Sequence, residues 1–143
     1  MMTALPPPGA CALPEVPPQL IVAAVPESVR PARKYVRAAV AYQEPAVPED
    51  ALGTLEIIAS ELVTNAILYG APSPNTLIRV VVEAEPHHAR IEVHDGCCKT
   101  PRIRPLSTKR SRGRGLLLVT DMAATWGTDE RAAGKVVWAV VTW

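Results

Sequence analysis

Pro48 to Tyr69 read PEDALGTLEIIASELVTNAILY, and this stretch decides the fold. Leu52, Leu55, Ala59, Leu62, Ala66 and Tyr69 recur at steps of three and four, which lays one apolar stripe along a helix. Pro48 suits its start, where no backbone donor is needed; Gly70 offers a stop, and Pro72 and Pro74 follow. A long helix with one apolar stripe must lie on something, and the flanking sequence supplies a sheet. Leu77–Ala84 and Ala89–His94 are rich in Val and Ile, and the Glu85-Pro86-His87-His88 turn joins them as a hairpin. Lys135–Trp143 is a nearly all-apolar final strand, and Leu20–Ala24 is a short apolar run flanked by prolines. Ser28 caps a helix running to about Tyr42 with Val29, Val36, Ala39 and Val40 as its stripe, Pro31 being confined to its first turn. Gly113–Trp126 reads as a third helix opened by glycines, followed by a turn near Gly127–Arg131. Helices and strands mix without regular alternation. That predicts an α+β fold: a two-layer α/β sandwich, a mixed sheet with helices on one face.

Composition bounds what the fold can be for. At 143 residues there is room for one domain and one core. The 15 prolines are twice the usual share, and six of them fall in residues 1–18. Those residues read as a disordered Pro-rich tail, leaving 19–143 as a single domain. With 48% hydrophobic and 20% charged residues, the chain is neither globally disordered nor a coiled coil. A net charge of +1 gives no overall pull toward nucleic acid or an anionic membrane. No unbroken apolar run of about 18 residues suggests a membrane-spanning helix, and the N-terminus lacks the pattern of a signal peptide. Cys11, Cys97 and Cys98 are odd in number and two are adjacent, so no disulfide framework is expected and a reducing cytoplasm is. His87 and His88 stand alone, without the clustered spacing of a metal site.

Three segments carry chemistry. Glu61 and Asn65 lie four apart in the decisive helix and project from one face, beside the apolar stripe. Asn65 offers an oxygen to a hard divalent cation, and Glu61 can take a proton from an attacking hydroxyl or water. Alone, the two could equally be a hydrogen-bonded surface pair. Asp95-Gly96 ends a strand, where a carboxylate can accept from a ligand amine or simply form a turn. Arg112-Gly113-Arg114-Gly115-Leu116 leads into an apolar helix, which in outline is a phosphate site: glycines allow close approach, and the helix N-terminus offers free N–H groups. Between Gly96 and Thr120 there are seven basic residues and no acidic one, a local field suited to a polyanion.

Taken in order, these pieces resemble the Bergerat-fold ATP-binding proteins, which include gyrase, histidine kinases and anti-sigma serine kinases. Glu61-xxx-Asn65 resembles their N-box, Val93–Gly96 their first glycine box and Arg112–Val119 their second. The stretches GluLeuValThrAsnAla, GlyArgGlyLeuLeuLeuVal, AlaAlaThrTrpGly and GlyLysValValTrpAla are most similar to the small bacterial group of anti-sigma factor serine/threonine kinases. The resemblance covers residues 20–143 and implies roles. Asn65 would coordinate Mg2+, and Glu61 would be the catalytic base. Asp95 and Gly96 would hold adenine, and Arg112, Gly113, Arg114, Gly115 and Leu116 the phosphates of ATP. Lys99–Arg112 would be a lid. The reaction implied is γ-phosphoryl transfer to a Ser or Thr of a partner, a sigma factor and/or an anti-anti-sigma antagonist, in transcription regulation. A cytoplasmic homodimer is implied too, with no nucleic acid and no membrane. Three positions depart from the pattern. Cys97 and Lys99 occupy the two glycine positions of Asp-x-Gly-x-Gly, and Val136 replaces a threonine expected on the adenine side. The alternative is therefore a catalytically weak or inactive module that sequesters a sigma factor or antagonist protein.

Overall fold

The computed structural model describes residues 17–95, 116–131 and 134–143. In chain order these form β1 (Gln19–Ala23), α1 (Val29–Gln43), α2 (Glu49–Tyr69), β2 (Leu77–Glu85), β3 (His88–His94), a helix α3 over 116–122, β4 (Thr125–Arg131) and β5 (Gly134–Thr142). The sheet order is β1-β2-β3-β5-β4. Period-two alternation buries Ile78, Val80 and Val82 of β2, Ile91 and Val93 of β3, and Val137, Ala139 and Val141 of β5 on one face. α1 lies over β1 and β2, and α2 over β2, β3 and β5. Their buried stripes, Val36 and Val40 from α1 and Leu55, Ile58 and Leu62 from α2, close the core against that face.

The expected α+β sandwich stands, and the pairings refine its sheet: all four between described strands are antiparallel. Polar contacts fix α1 to its neighbours. Gln43 donates from Nε2 to the Val82 carbonyl (3.1 Å) and accepts the Ala84 N–H (2.6 Å). It serves β2 just beyond Val81, the last residue that β1 pairs. Arg37 reaches across to α2, donating to Glu49 (2.6 Å) and Glu56 (3.4 Å).

Several expectations change. Ser28 does not cap α1; its hydroxyl donates back to the Ala23 carbonyl (2.7 Å), tying the end of β1 to the helix start. The third helix does not reach Trp126. It stops at residue 122, and the segment expected as a turn, Gly127–Arg131, is the edge strand β4 with Thr125 and Trp126. The cause is tertiary. The Ala124 N–H donates to the Val140 carbonyl and the following residues pair with β5, which outweighs whatever helical period the sequence carries. By length and composition α2 is apolar enough to cross a membrane, contrary to expectation; its stripe faces the sheet in this fold. Of the Pro-rich tail, residues 1–16 lie outside the described residues, while the Pro17 carbonyl accepts the Tyr35 hydroxyl (2.7 Å).

Candidate functional site

Asp95 follows the last residue of β3 and is locked to the start of β5. Its N–H donates to the Lys135 carbonyl (3.0 Å), and its Oδ1 accepts the Lys135 N–H (3.1 Å). The side chain is 4% exposed, so a carboxylate has been taken almost wholly out of water. That is costly unless hydrogen bonds compensate, and a carboxylate has lone pairs for more than one donor. α2 ends against it. The Gly70 N–H donates to the Ala66 carbonyl (2.9 Å) as the helix closes, and a Cβ built on Gly70 would fall 2.7 Å from both Cβ and Oδ2 of Asp95. The φ of Gly70 is −111°, ordinary for any residue, so glycine is needed here for space rather than backbone freedom. In sequence Gly70 reads only as a helix stop. A stop and a spacer both ask for glycine after the last apolar residue, and nothing local separates them.

Asn65 lies five residues back along α2, about 7.5 Å of helix rise. It is half-buried, and its Nδ2 is buried with no hydrogen-bond partner among the described residues. Leaving such a donor unmade costs roughly 1–3 kcal/mol, and native interiors contain few. Glu61, one turn earlier on the same flank, is half-buried, and no ion pair or hydrogen bond joins it to another described residue. α3 is anchored by Val119, fully buried in the core, while Leu117 and Leu118 point outward and Leu116 is half-buried. The expected site residues Gly96, Arg112, Gly113, Arg114 and Gly115, with the basic loop, lie outside the described residues. The structure thus joins Asp95 to the end of the helix that bears Glu61 and Asn65. It does not put Val136 on the Asp95 side, where a hydroxyl was expected to be missing. Val136 is in register with His94 and lines the opposite face of the sheet, one residue out of phase with the core residue Val137.

These residues suit a phosphate-bound cation better than a protein cage. Among the described residues no cluster of three His, Cys, Asp or Glu side chains could hold a metal ion. A cation at Asn65 would draw one oxygen from the protein and the rest from phosphate and water, as Mg2+ commonly does at phosphate sites. The Nδ2 of Asn65, unpaired among the described residues, is a donor and binds no cation itself; with Oδ1 on the cation it would donate to a phosphate or water oxygen.

The family model for the histidine kinase-like ATPase domain matches residues 22–141. Seventeen solved chains match. One is the histidine kinase domain of a blue-light activated histidine kinase from Erythrobacter litoralis, 16% identical with a TM-score of 0.44 over 78% of this chain and 60% of that one. The present chain therefore corresponds to less than two-thirds of that solved chain. No curated protein matches.

Proposed function

We infer the function from one premise: the chain belongs to the histidine kinase-like ATPase domain family. We propose that it binds ATP with Mg2+ and is an anti-sigma-factor-like serine/threonine kinase of the cytoplasm. Its partners would be a sigma factor and/or an anti-anti-sigma antagonist, and it would work as a homodimer. The observation that supports the nucleotide reading is the buried Nδ2 donor of Asn65, unpaired among the described residues, on the same helix that Gly70 ends against Asp95. Asp95, oriented by Lys135, accepts from the adenine amino group. Asn65 holds the cation, and Mg2+ supplies neutralisation of phosphate charge. Arg112, Gly113, Arg114, Gly115 and Leu116 close on the phosphates. Glu61 takes the proton of the acceptor hydroxyl as its oxygen bonds to the γ-phosphorus and the bond to the β–γ bridging oxygen breaks, leaving ADP. Positioning and charge stabilisation carry most of such a transfer.

Titrating ATP with and without Mg2+ tests the first half. Affinity that strengthens with Mg2+ supports it, and no binding at millimolar ATP overturns it. Transfer of labelled γ-phosphate to proteins that co-purify from the source cells tests the second half, with Glu61→Ala expected to bind ATP and transfer none. A second reading has its own observation: Cys97 and Lys99 stand where the family's first glycine box has glycines. Tight partner binding without phosphoryl transfer would favour a module that sequesters its partner.

A further inference from the structure

The sheet face turned away from the helices carries a concavity of about 300 Å3. Ile21, Leu77 and Val136 give it apolar walls, and Arg79, His94 and Arg131 give it charge and hydrogen-bonding capacity. No acidic side chain lines it among the described residues. Ile21 and Leu77 are 51% and 57% exposed, unusual for large aliphatic side chains next to each other on a sheet. They neighbour each other because β1 and β2 pair with Ile21 opposite Arg79 and Ala23 opposite Leu77.

Arg79 is the organised element of this concavity. One guanidinium nitrogen donates to Gln19 Oε1 (3.2 Å) and another to His94 Nδ1 (3.2 Å). His94 is itself held through Nε2 by Glu92 (3.1 Å), so Nδ1 is the acceptor and Nε2 carries the hydrogen. Glu92 is shared with Arg90 (2.8 Å), whose guanidinium lies 4.4 Å from the Trp138 ring centre. Arg79 therefore has its orientation fixed by two side-chain acceptors and meets no carboxylate among the described residues. Arg131 has only a long, exposed contact with Asp129 (3.9 Å), of the kind that contributes little. A pre-oriented planar guanidinium with unused donors matches a carboxylate in two-point geometry.

We propose that this concavity docks an acidic segment of a partner protein, with a carboxylate on Arg79 and an adjacent leucine-like side chain against Ile21 and Leu77. Charge complementarity selects that occupant. A second copy packed face to face would set the same basic patch against itself, since a two-fold contact presents one patch to its like. A single-stranded nucleic acid would find no aromatic ring among the lining residues to stack on. The inference does not depend on nucleotide binding.

The test uses the full chain and a fluorescein-labelled octapeptide of alternating Asp and Leu, followed by fluorescence anisotropy. The Asp–Leu peptide should bind, and versions with Asn for Asp or Ser for Leu should bind at least tenfold more weakly. Arg79→Glu should weaken the Asp–Leu peptide at least tenfold, and Leu77→Ser several-fold, both at unchanged melting temperature. Should Arg79→Glu lower the melting temperature, Arg79→Gln makes the same comparison. The proposal is overturned by absent binding, by undiminished binding to Arg79→Glu, or by equal binding of the Ser peptide. It is overturned equally by tighter binding of an oligothymidylate, or by a dimer in sedimentation velocity that Arg79→Glu dissolves.

Discussion

Asn65 is the residue where fold and site compete. An unsatisfied buried donor is a debit of roughly 1–3 kcal/mol, and alanine is the better helix former. If the amide exists for a ligand, Asn65→Ala should leave the apo protein as stable as before or up to about 2 kcal/mol more stable, while removing the Mg2+ dependence of ATP affinity. Urea titration of the apo protein and nucleotide titration of the same variant check both halves, and a structural asparagine would show a loss in the first. Gly70 makes the converse case. Gly70→Ala adds a methyl 2.7 Å from Asp95 Cβ and Oδ2, so Asp95 must move or the end of α2 must unwind. The variant should lose about 1–3 kcal/mol of stability and bind ATP at least tenfold more weakly, with Mg2+ dependence retained because Asn65 is untouched. At this scale the spacing of Glu61 and Asn65 was legible, because helical period alone puts them on one flank. The role of Gly70 was not, because its partner Asp95 is 25 residues away in sequence and only the folded chain brings them together.

Among the elements, the long buried ones could be read and the edge could not. α2, β2, β3 and β5 are specified by strong period and by runs of Val and Ile, and their bounds differ from the sequence reading by a residue or so. β4 is different. Its burial is slight along the whole strand, with Trp126 and Gly127 its least exposed residues, so no alternation reports it. It is held by its pairing with β5, by Trp126, which packs against the core and donates from Nε1 to Thr120 Oγ1 (2.7 Å), and by one close fit: a Cβ on Gly127 would lie 2.7 Å from Cζ2 of the Trp138 ring. Gly127→Ala should therefore cost about 1–3 kcal/mol, with faster amide exchange across β4 than across β3 in hydrogen-exchange measurements. On the other side of the sheet, Gln43 satisfies two backbone groups of β2 that no strand reaches. Gln43→Ala should lower the unfolding free energy by about 1–3 kcal/mol, read as a shift of the urea midpoint at unchanged slope.

At the scale of the molecule, the two faces of one sheet do different work, and the average charge of +1 conceals both. The covered face ends at Asp95 and the flank of α2. The face turned away from the described helices carries a linked row of Arg79, His94, Glu92 and Arg90. That row has a consequence for acid stability. Burial pushes Glu92 toward the neutral form, but hydrogen bonds and charge from Arg90 and His94 outweigh it and hold its pKa below the usual 4.5. A carboxylate whose pKa is lower folded than unfolded contributes stability above its unfolded value and loses that contribution as pH falls through the folded one. The folded protein should therefore lose stability as pH drops below about 4.5. Glu92→Gln should flatten this acid limb, because the variant has no proton to take up there. Arg90→Ala should flatten it partly, since His94 still donates to Glu92. Urea titrations across that range on the three proteins give the comparison. Equal slopes for wild type and Glu92→Gln would mean that the row is held by packing of Arg90 on Trp138 rather than by charge.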